Sequence, residues 1–282
     1  MNGPWLTALL LRGMIGALHL LPYRARLAVG GWLATCVLAP MAGYRRRIRA
    51  NLALVWPDLP QAEVRRLVIE VPRNVGRTLV EVYSAREFKA RLADTPITGP
   101  GLEAILHART EGRGVILISG HFGNYDVPRA VLSARGHAVG ALYRPLGNPY
   151  FDATFRAAIE QLGKPVFARG RRGLAEMVRH LKQGGLVGIL VDQHMAHGAK
   201  LSFFGQPAKT ALSAAEMALK YNCLLVPVYG VRQPDPTRFS LIIEAPIRAG
   251  APEVMTQALN DSLEAQIRAH PAQWMWIHRR WK

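Results

Sequence analysis

The stretch that decides the fold is Gly114–Asp126, with the sequence GVILISGHFGNYD. Its apolar run Val115–Ile118 contains three β-branched residues and predicts a strand buried on both faces. A Ser-Gly break follows, and the residues after it open a helix that we expect to run to about Arg135. In open parallel sheets, ligands bind beyond the carboxyl ends of the strands, so the sequence predicts a functional site at this turn.

Two residues of this turn, His121 and Asp126, lie five positions apart. If His121 lies in the turn and Asp126 in the first helical turn, the carboxylate can bind one imidazole nitrogen and leave the other free to accept a proton. This pattern is typical of a pair that activates a hydroxyl group. The alternative is a hydrogen-bonded turn histidine followed by an acid that the helix dipole favours.

The rest of the second half of the chain alternates between helical and strand patterns. The predicted strands are Val115–Ser119, Val139–Tyr143, Val166–Phe167, Leu186–Val191, Leu224–Val231 and Phe239–Glu244. We expect the last two to pair antiparallel, and the others to be joined by right-handed crossovers through helices. The pattern therefore predicts an α/β fold with a mostly parallel central sheet flanked by helices.

The first 93 residues read as a helical region that associates with a membrane, followed by an α/β core over residues 94–282. Apolar runs at residues 5–21 and 27–41 are flanked by arginines, a composition that suits an anionic membrane surface. The first run carries Arg12 and His19 and is short for a spanning helix. A helical hairpin packed on the core is the alternative. From Asn51 to about Arg91 we expect two helices separated at Pro72.

The composition points to an anionic partner, because the formal net charge is +17. Nucleic acid, an anionic membrane, a phosphorylated lipid and an acidic carrier protein all fit such a field. The chain lacks the glycine-rich dinucleotide fingerprint and the P-loop, which argues against nucleotide cofactors. Cys36 and Cys223 lie in apolar sequence, and we expect both to be buried free thiols.

Further polar residues follow the other predicted strands, where binding residues are expected. Arg144 and Asn148 follow one strand, Arg169 the next, and Asp192-Gln193-His194 the strand Leu186–Val191. Asp192, His194 and His197 have a spacing that a metal could use, although an aspartate that caps a strand end is commoner. Phe203-Phe204-Gly205 could line an apolar slot, although two aromatic rings in a turn more commonly belong to the core.

Five motifs, in order along the chain, match one bacterial family. They are Gly120–Asp126, Tyr143-Arg144-Pro145 with Asn148, Asp192-Gln193, Phe203-Phe204-Gly205 with Ala208 and Thr210, and the ending Pro271–Lys282. The sequence resembles the bacterial late lipid A acyltransferases, the lauroyl and myristoyl transferases of the lysophospholipid acyltransferase superfamily. Many members have Glu in place of Asp126.

The resemblance implies an inner-membrane enzyme that moves a fatty acyl group from acyl-carrier protein, or from coenzyme A, to a hydroxyl of a lipid A precursor at the cytoplasmic face. It implies His121 as general base, Asp126 as its orienting acid, and Arg144 or backbone N–H groups near Gly123 as stabilisers of the oxyanion. No cofactor and no metal are expected, because the thioester is itself a substrate. The residues expected to bind substrate are Asn124, Arg144, Asn148, Arg169, Asp192 and Gln193.

Three alternatives remain at this point. The acceptor could be another anionic glycolipid or a lysophospholipid. The chain could be a cationic membrane-binding or nucleic-acid-binding protein without activity, although it lacks the aromatic and basic platform of the common RNA modules, so no nucleic-acid partner is expected. It could also be a metal-dependent hydrolase built on His121, Asp126, Asp192 and His194.

Overall fold

The computed structural model of the protein describes residues 3–282, so the first two residues of the predicted N-terminal region lie outside it. Six helices precede the first strand: α1 (Gly3–His19), α2 (Tyr23–Leu33), α3 (Ala39–Met41), α4 (Tyr44–Val55), α5 (Gln61–Tyr83) and α6 (Ala85–Arg91). A π-helical segment, Ala34–Leu38, joins α2 to α3 without a break. The division of the chain at residue 94 stays a proposal.

The α/β part contains nine strands in two sheets. The strands are β1 (Ile97–Thr98), β2 (Val115–Ser119), β3 (Val139–Tyr143), β4 (Val166–Ala168), β5 (Leu186–Leu190), β6 (Ala199–Phe203), β7 (Gln206–Thr210), β8 (Leu224–Arg232) and β9 (Phe239–Ile243). The helices are α7 (Gly101–Thr110), α8 (Val127–Ala134), α9 (Pro149–Leu162), α10 (Arg171–Lys182), α11 (Ser213–Lys220) and α12 (Pro252–Ala269).

Seven of these strands form the central sheet, in the order β1-β9-β8-β2-β5-β3-β4. The pairs from β8 to β4 are parallel, and β9 runs antiparallel to β8, as the sequence predicted. The site strand β2 lies between β8 and β5, and its five residues are all buried. The predicted fold class is therefore confirmed. Strands β6 and β7 form a separate hairpin around the Phe204-Gly205 turn, and Phe203 and Phe204 enter the core as expected.

Helix α5 connects the N-terminal helices to the sheet. It runs unbroken through Pro72, so the predicted break at this residue is wrong. The reason is tertiary packing: Pro72 and its neighbour Val71 are buried, and this burial outweighs the lost backbone hydrogen bond. Helix α2 packs closely on α5 where Gly30 meets Gly76. This approach requires glycine, since a Cβ on Gly76 would lie 2.2 Å from the Gly30 carbonyl oxygen.

The N-terminal helices leave much apolar surface exposed. The exposed large side chains here include Trp5, Leu9, Leu10, Met14, Leu20, Trp32, Leu38 and Met41. No single helix in residues 3–282 has the length and hydropathy to cross a membrane, whereas the segments Tyr23–Met41 and Tyr44–Val55, which meet at 85°, satisfy both criteria only as a pair. Cys36 is exposed rather than buried, because Ala34 and Thr35 are the residues of the π-helical segment that lie inward, while Cys223 is a buried free thiol.

Candidate active site

The turn after β2 is shaped by a glycine. Gly123 has a φ of +56°, and a Cβ there would lie 1.9 Å from the carbonyl oxygen of Gly230 on β8. Only glycine fits this approach without strain. The Gly123 amide donates to the carbonyl of Gln273 and the Asn124 amide to that of Gly230, so both amides are already satisfied. The turn is thus fixed against β8 and the C-terminal segment, and it presents His121 at the carboxyl edge of the sheet.

His121 is paired with Asp192 rather than with the carboxylate that its sequence spacing suggested. Its Nδ1 lies 2.8 Å from Asp192 Oδ1, and its backbone N–H donates to Asp192 Oδ2 at 2.8 Å. The indole Nε1 of Trp274 also donates to Oδ2, at 2.9 Å. With Nδ1 bound to a carboxylate, the hydrogen-bond network assigns the proton of the neutral ring to Nδ1 and leaves Nε2 as the acceptor.

The sheet register brings these two residues together. Strands β2 and β5 are parallel neighbours, with Ser119 opposite Leu190, so the residues two positions further along each strand also face each other. Burial would by itself raise the pKa of Asp192, but attraction to His121 and the hydrogen bonds from it hold that pKa below its usual range. Asp192 is therefore an ionised, buried partner of the imidazole.

Asp126 lies at the N-terminus of α8 and makes no hydrogen bond to His121 among the described residues. Its carboxylate lies 3.6 Å from Arg129 Nε, and its backbone N–H donates to the side chain of Asn124. Burial raises the pKa of Asp126, although Arg129 and His121 act in the opposite direction. The carboxylate contact expected between His121 and Asp126 is thus made by Asp192 instead, and the catalytic role of Asp126 stays a prediction.

A buried polar network lies beneath the turn. Glu81 of α5 accepts from the two terminal guanidinium nitrogens of Arg232, Nη1 and Nη2, at 2.5 and 2.8 Å, and from the Asn124 side-chain amide at 2.7 Å. Asn74 accepts from Arg232 Nε at 2.7 Å and donates to the Gly123 carbonyl at 2.9 Å. Glu81 and Asn124 are fully buried. The network ties the turn to both α5 and the end of β8.

A third side chain, His278, completes the immediate surroundings of His121. The two rings meet edge to face with centroids 4.7 Å apart. Burial lowers the pKa of His278 to about 4, so it is neutral at neutral pH. Its Nε2 is buried without a hydrogen-bond partner among the described residues. The potential metal-ligating atoms of His121, Asp192 and His278 all lie within 4.8 Å of one another, so these residues, rather than a set with Asp126 and His194, are the ones that could hold a metal.

A small cleft opens beside His121, between α5 and the C-terminal segment. Its volume is about 30 Å³, and it is lined by Asn74, Val75, Thr78, Leu79, His121, Gly123, Tyr125, Gln273 and Met275. Val75 and Leu79 extend its apolar wall along the outer face of α5.

The other predicted binding residues lie further from His121. Arg144 and Arg169 are exposed at the ends of the paired strands β3 and β4. Asn148 caps α9 by accepting from two backbone amides and donates to the Pro4 carbonyl, which links the core to α1. Gln193 is exposed next to Asp192. Their roles in binding substrate stay predictions.

Several residues of the site were not expected from the sequence. Glu81, Asn74 and Arg232 belong to segments that read as ordinary helix and strand, and only the folded chain brings them under the turn. A signal existed for Glu81 in the helical pattern, because an acid occupied a position among buried apolar residues. Trp274 and His278 lie within the C-terminal motif, although the motif gave them no role.

Known proteins resemble this chain over nearly its whole length. Residues 2–282 match the family described as bacterial lipid A biosynthesis acyltransferase. The lipid A biosynthesis lauroyltransferase of Escherichia coli K12 is 27% identical, over 99% of this chain and 92% of that protein. The myristoyltransferase of the same organism is 23% identical, over 83% and 73% of the two chains, and the palmitoleoyltransferase is 27% identical, over 83% and 77%.

Proposed function

Because the chain belongs to the bacterial lipid A biosynthesis acyltransferase family, as its motifs predicted, we propose that it transfers a fatty acyl group from a thioester donor to a hydroxyl of a lipid A precursor. The donor is acyl-carrier protein or coenzyme A, and the reaction takes place at the cytoplasmic face of the inner membrane. The single observation that supports the mechanism is the pair formed by the partly exposed His121 and the buried Asp192 at the carboxyl edge of the sheet.

In this mechanism His121 is the general base. Its Nε2 accepts the proton of the acceptor hydroxyl, and the hydroxyl oxygen attacks the thioester carbonyl carbon. The C–S bond then breaks as the ester carbonyl forms, and the leaving thiolate takes from the imidazolium the proton that came from the acceptor hydroxyl. Asp192 stabilises the imidazolium charge and holds the ring with Nε2 outward. The positive surface at Arg144 and Arg169 supports binding of the anionic substrates.

The assay that tests this function uses the detergent-solubilised protein. Labelled acyl-carrier protein and acyl-coenzyme A are each offered with a lipid A precursor, a different anionic glycolipid and a lysophospholipid. We expect acyl transfer to the lipid A precursor, at a rate that a chelator does not change. Transfer to another acceptor alone would replace the substrate assignment, and failure with every donor and acceptor would contradict the proposal.

A pair of amide variants decides which acid orients His121. In Asp192→Asn the side-chain oxygen must accept the two N–H groups that now bind Oδ2, so the NH₂ group faces Nδ1. The ring must then carry its proton on Nε2, where it cannot act as a base, and we expect kcat to fall on the order of 10²- to 10⁴-fold. Asp126→Asn should stay within about tenfold of the wild-type kcat, since no tautomer depends on it. The reverse order would assign the orienting role to Asp126.

The exposed apolar side chains of the N-terminal helices are proposed to bind the membrane, with Arg46 and Arg49 at the headgroups. Replacing Leu10 and Leu20 by glutamine removes two of these contacts, each worth about 1.5–3 kcal/mol when fully buried. We expect binding to vesicles containing anionic lipid, measured by flotation, to weaken by about 10²-fold. Leu174→Gln, on α10, is the matched control, because Leu174 is also exposed. Equal loss in the control would contradict this assignment.

A further inference from the structure

A second, larger cavity lies at the same edge of the sheet as His121. It has a volume of about 510 Å³, within the usual range for small-molecule sites. Its walls come from the start of α2, the end of α6, the segment before β1 and the turn between β8 and β9. Because β9 runs antiparallel to β8, and β1 parallel to β9, the first residues of β1 and β9 lie at the carboxyl edge of the parallel strands.

The walls of this cavity carry more positive than negative charge. Three arginines, Arg24, Arg91 and Arg238, line it together with one carboxylate, Asp94. Asp235 binds Arg24 at 2.7 Å and lies 4.0 Å from Arg238. The guanidinium of Arg91 lies over the ring of Tyr23, 4.6 Å from its centroid, and makes no hydrogen bond to any described residue.

Neutral polar groups complete the lining. Ser240 contributes a hydroxyl group that accepts from Gln233 Nε2 at 2.9 Å and can still donate, Gln233 contributes its amide oxygen, and Phe239 contributes an apolar ring. The Thr237 hydroxyl also lines the cavity but already donates to Asp235 Oδ1 at 2.8 Å. Guanidinium groups combined with hydroxyls and an aromatic face suit a phosphorylated sugar, because arginine binds phosphate in a bidentate manner and the neutral groups can bind sugar hydroxyls. The cavity therefore has the chemistry of a site for an anionic head group.

One residue, Arg232, separates this cavity from the cleft at His121. On the cleft side, Arg232 binds Thr78 through its guanidinium, and its backbone N–H donates to Gln273 Oε1. On the other side, it donates to the Pro236 carbonyl and lies 4.6 Å from the centroid of the Phe239 ring. Arg232, the last residue of β8, thus contacts wall residues of both cavities, which places the two cavities on either side of this residue.

We propose that the cavity lined by Arg24, Arg91 and Arg238 binds a phosphate-bearing sugar of the acceptor lipid while an acceptor hydroxyl lies at His121. This inference rests on the proposed function and assigns a second part of the same substrate site. The apolar turn at Leu20 and Leu21 immediately precedes the α2 residues in the cavity wall. A lipid whose chains lie against that turn therefore places its head group at the arginines.

The test compares single arginine variants of the intact protein in detergent. Arg91→Gln and Arg238→Gln each remove one charge from the cavity. Arg248→Gln is the matched control, because Arg248 is exposed and follows Ile247, which bonds Leu225 at the opposite end of β8. The probes are a bisphosphorylated glucosamine-disaccharide lipid, the same lipid after phosphatase treatment, and inorganic phosphate. Equilibrium binding is measured without acyl donor, and steady-state kinetics with it.

We expect each cavity variant to raise the Kd and the KM for the phosphorylated lipid about tenfold, with kcat and the donor KM unchanged. The phosphatase-treated lipid should bind weakly and equally to all variants. Unchanged affinity in both cavity variants, or the same loss in Arg248→Gln, would overturn the proposal. Full competition by inorganic phosphate at the lipid's own concentration would instead assign a free-anion site.

The binding measurement separates this inference from the proposed function. Suppose that the wild type transfers no acyl group but binds the phosphorylated lipid, and that Arg238→Gln loses this binding. The cavity assignment then stands and the acyl-transfer assignment fails. If transfer occurs and the acceptor KM is the same in wild type and both cavity variants, the acyl-transfer assignment stands and the cavity assignment fails.

Discussion

Replacement of His121 by alanine is expected to lower kcat for acyl transfer by about 10²- to 10⁴-fold, the usual contribution of a general base. The physical reason is that Nε2 is the acceptor that Asp192 orients toward the cleft, and alanine leaves no group there to take the hydroxyl proton. The measurement is the initial rate at saturating donor and acceptor.

The alanine variant also removes a hydrogen-bond donor from buried Asp192, so a loss of activity could come from a loss of stability. His121→Asn separates the two effects. Its side-chain amide can still donate to Asp192 but cannot accept a proton as a base, so we expect activity as low as in the alanine variant and thermal stability closer to the wild type. His107→Ala is the matched control, because His107 is an exposed histidine on α7. Activity within a few-fold of wild type in both His121 variants would exclude the base assignment.

The sequence was sufficient to predict the central sheet because its strands carry a local signal. Val115–Ser119 is a short apolar run between turn residues, and similar runs predicted β3, β4, β5, β8 and β9. The hairpin β6–β7 was not predicted as strands, because β7 contains Pro207 and three polar residues in five. Strand β1, with two residues, gives no periodic signal at all.

The site could be placed from the sequence, although its hydrogen-bond partners could not. His121 was located by the strand that precedes it, which is local information. The Asp192 contact depends on the order β2-β5-β3, in which the next strand along the chain is not the next strand in the sheet. The spacing of residues along the chain does not reveal this strand order. The sequence therefore favoured the nearest acid, Asp126, while the fold supplies one 71 residues away.

The same limitation concealed the ion pair of Glu81 and Arg232, which is the basis of the second large effect. The two side chains are almost fully buried, with exposed fractions of 0% and 4%, and lie 151 residues apart. Removing one partner of such a pair leaves an uncompensated charge in the core and costs about 3–5 kcal/mol. We therefore expect Arg232→Met to lower the free energy of unfolding by about this amount, measured by urea denaturation in detergent.

The double variant Glu81→Leu with Arg232→Met should recover part of this loss, because it removes both buried charges together. Recovery should be incomplete, since the Asn124 amide loses its acceptor and Asn74 loses its donor. Arg268→Met is the matched control. Its ion pair with Glu264 is half exposed, and such pairs contribute about 0–1 kcal/mol. Equal destabilisation by Arg232→Met and Arg268→Met would mean that the buried network does not stabilise the fold.

The activity of these variants then shows whether the network also positions the catalytic turn. Glu81 and Asn74 bind Asn124 and the Gly123 carbonyl, only two or three residues from His121. At a temperature where the double variant is fully folded, we expect kcat to remain at least about tenfold below wild type, because a small displacement of the base from the reacting atoms has a large effect on rate. A fully folded double variant with wild-type kcat would limit the network to stability, whereas reduced kcat with an unchanged acceptor KM would show that Glu81 and Arg232 act on His121 through the turn.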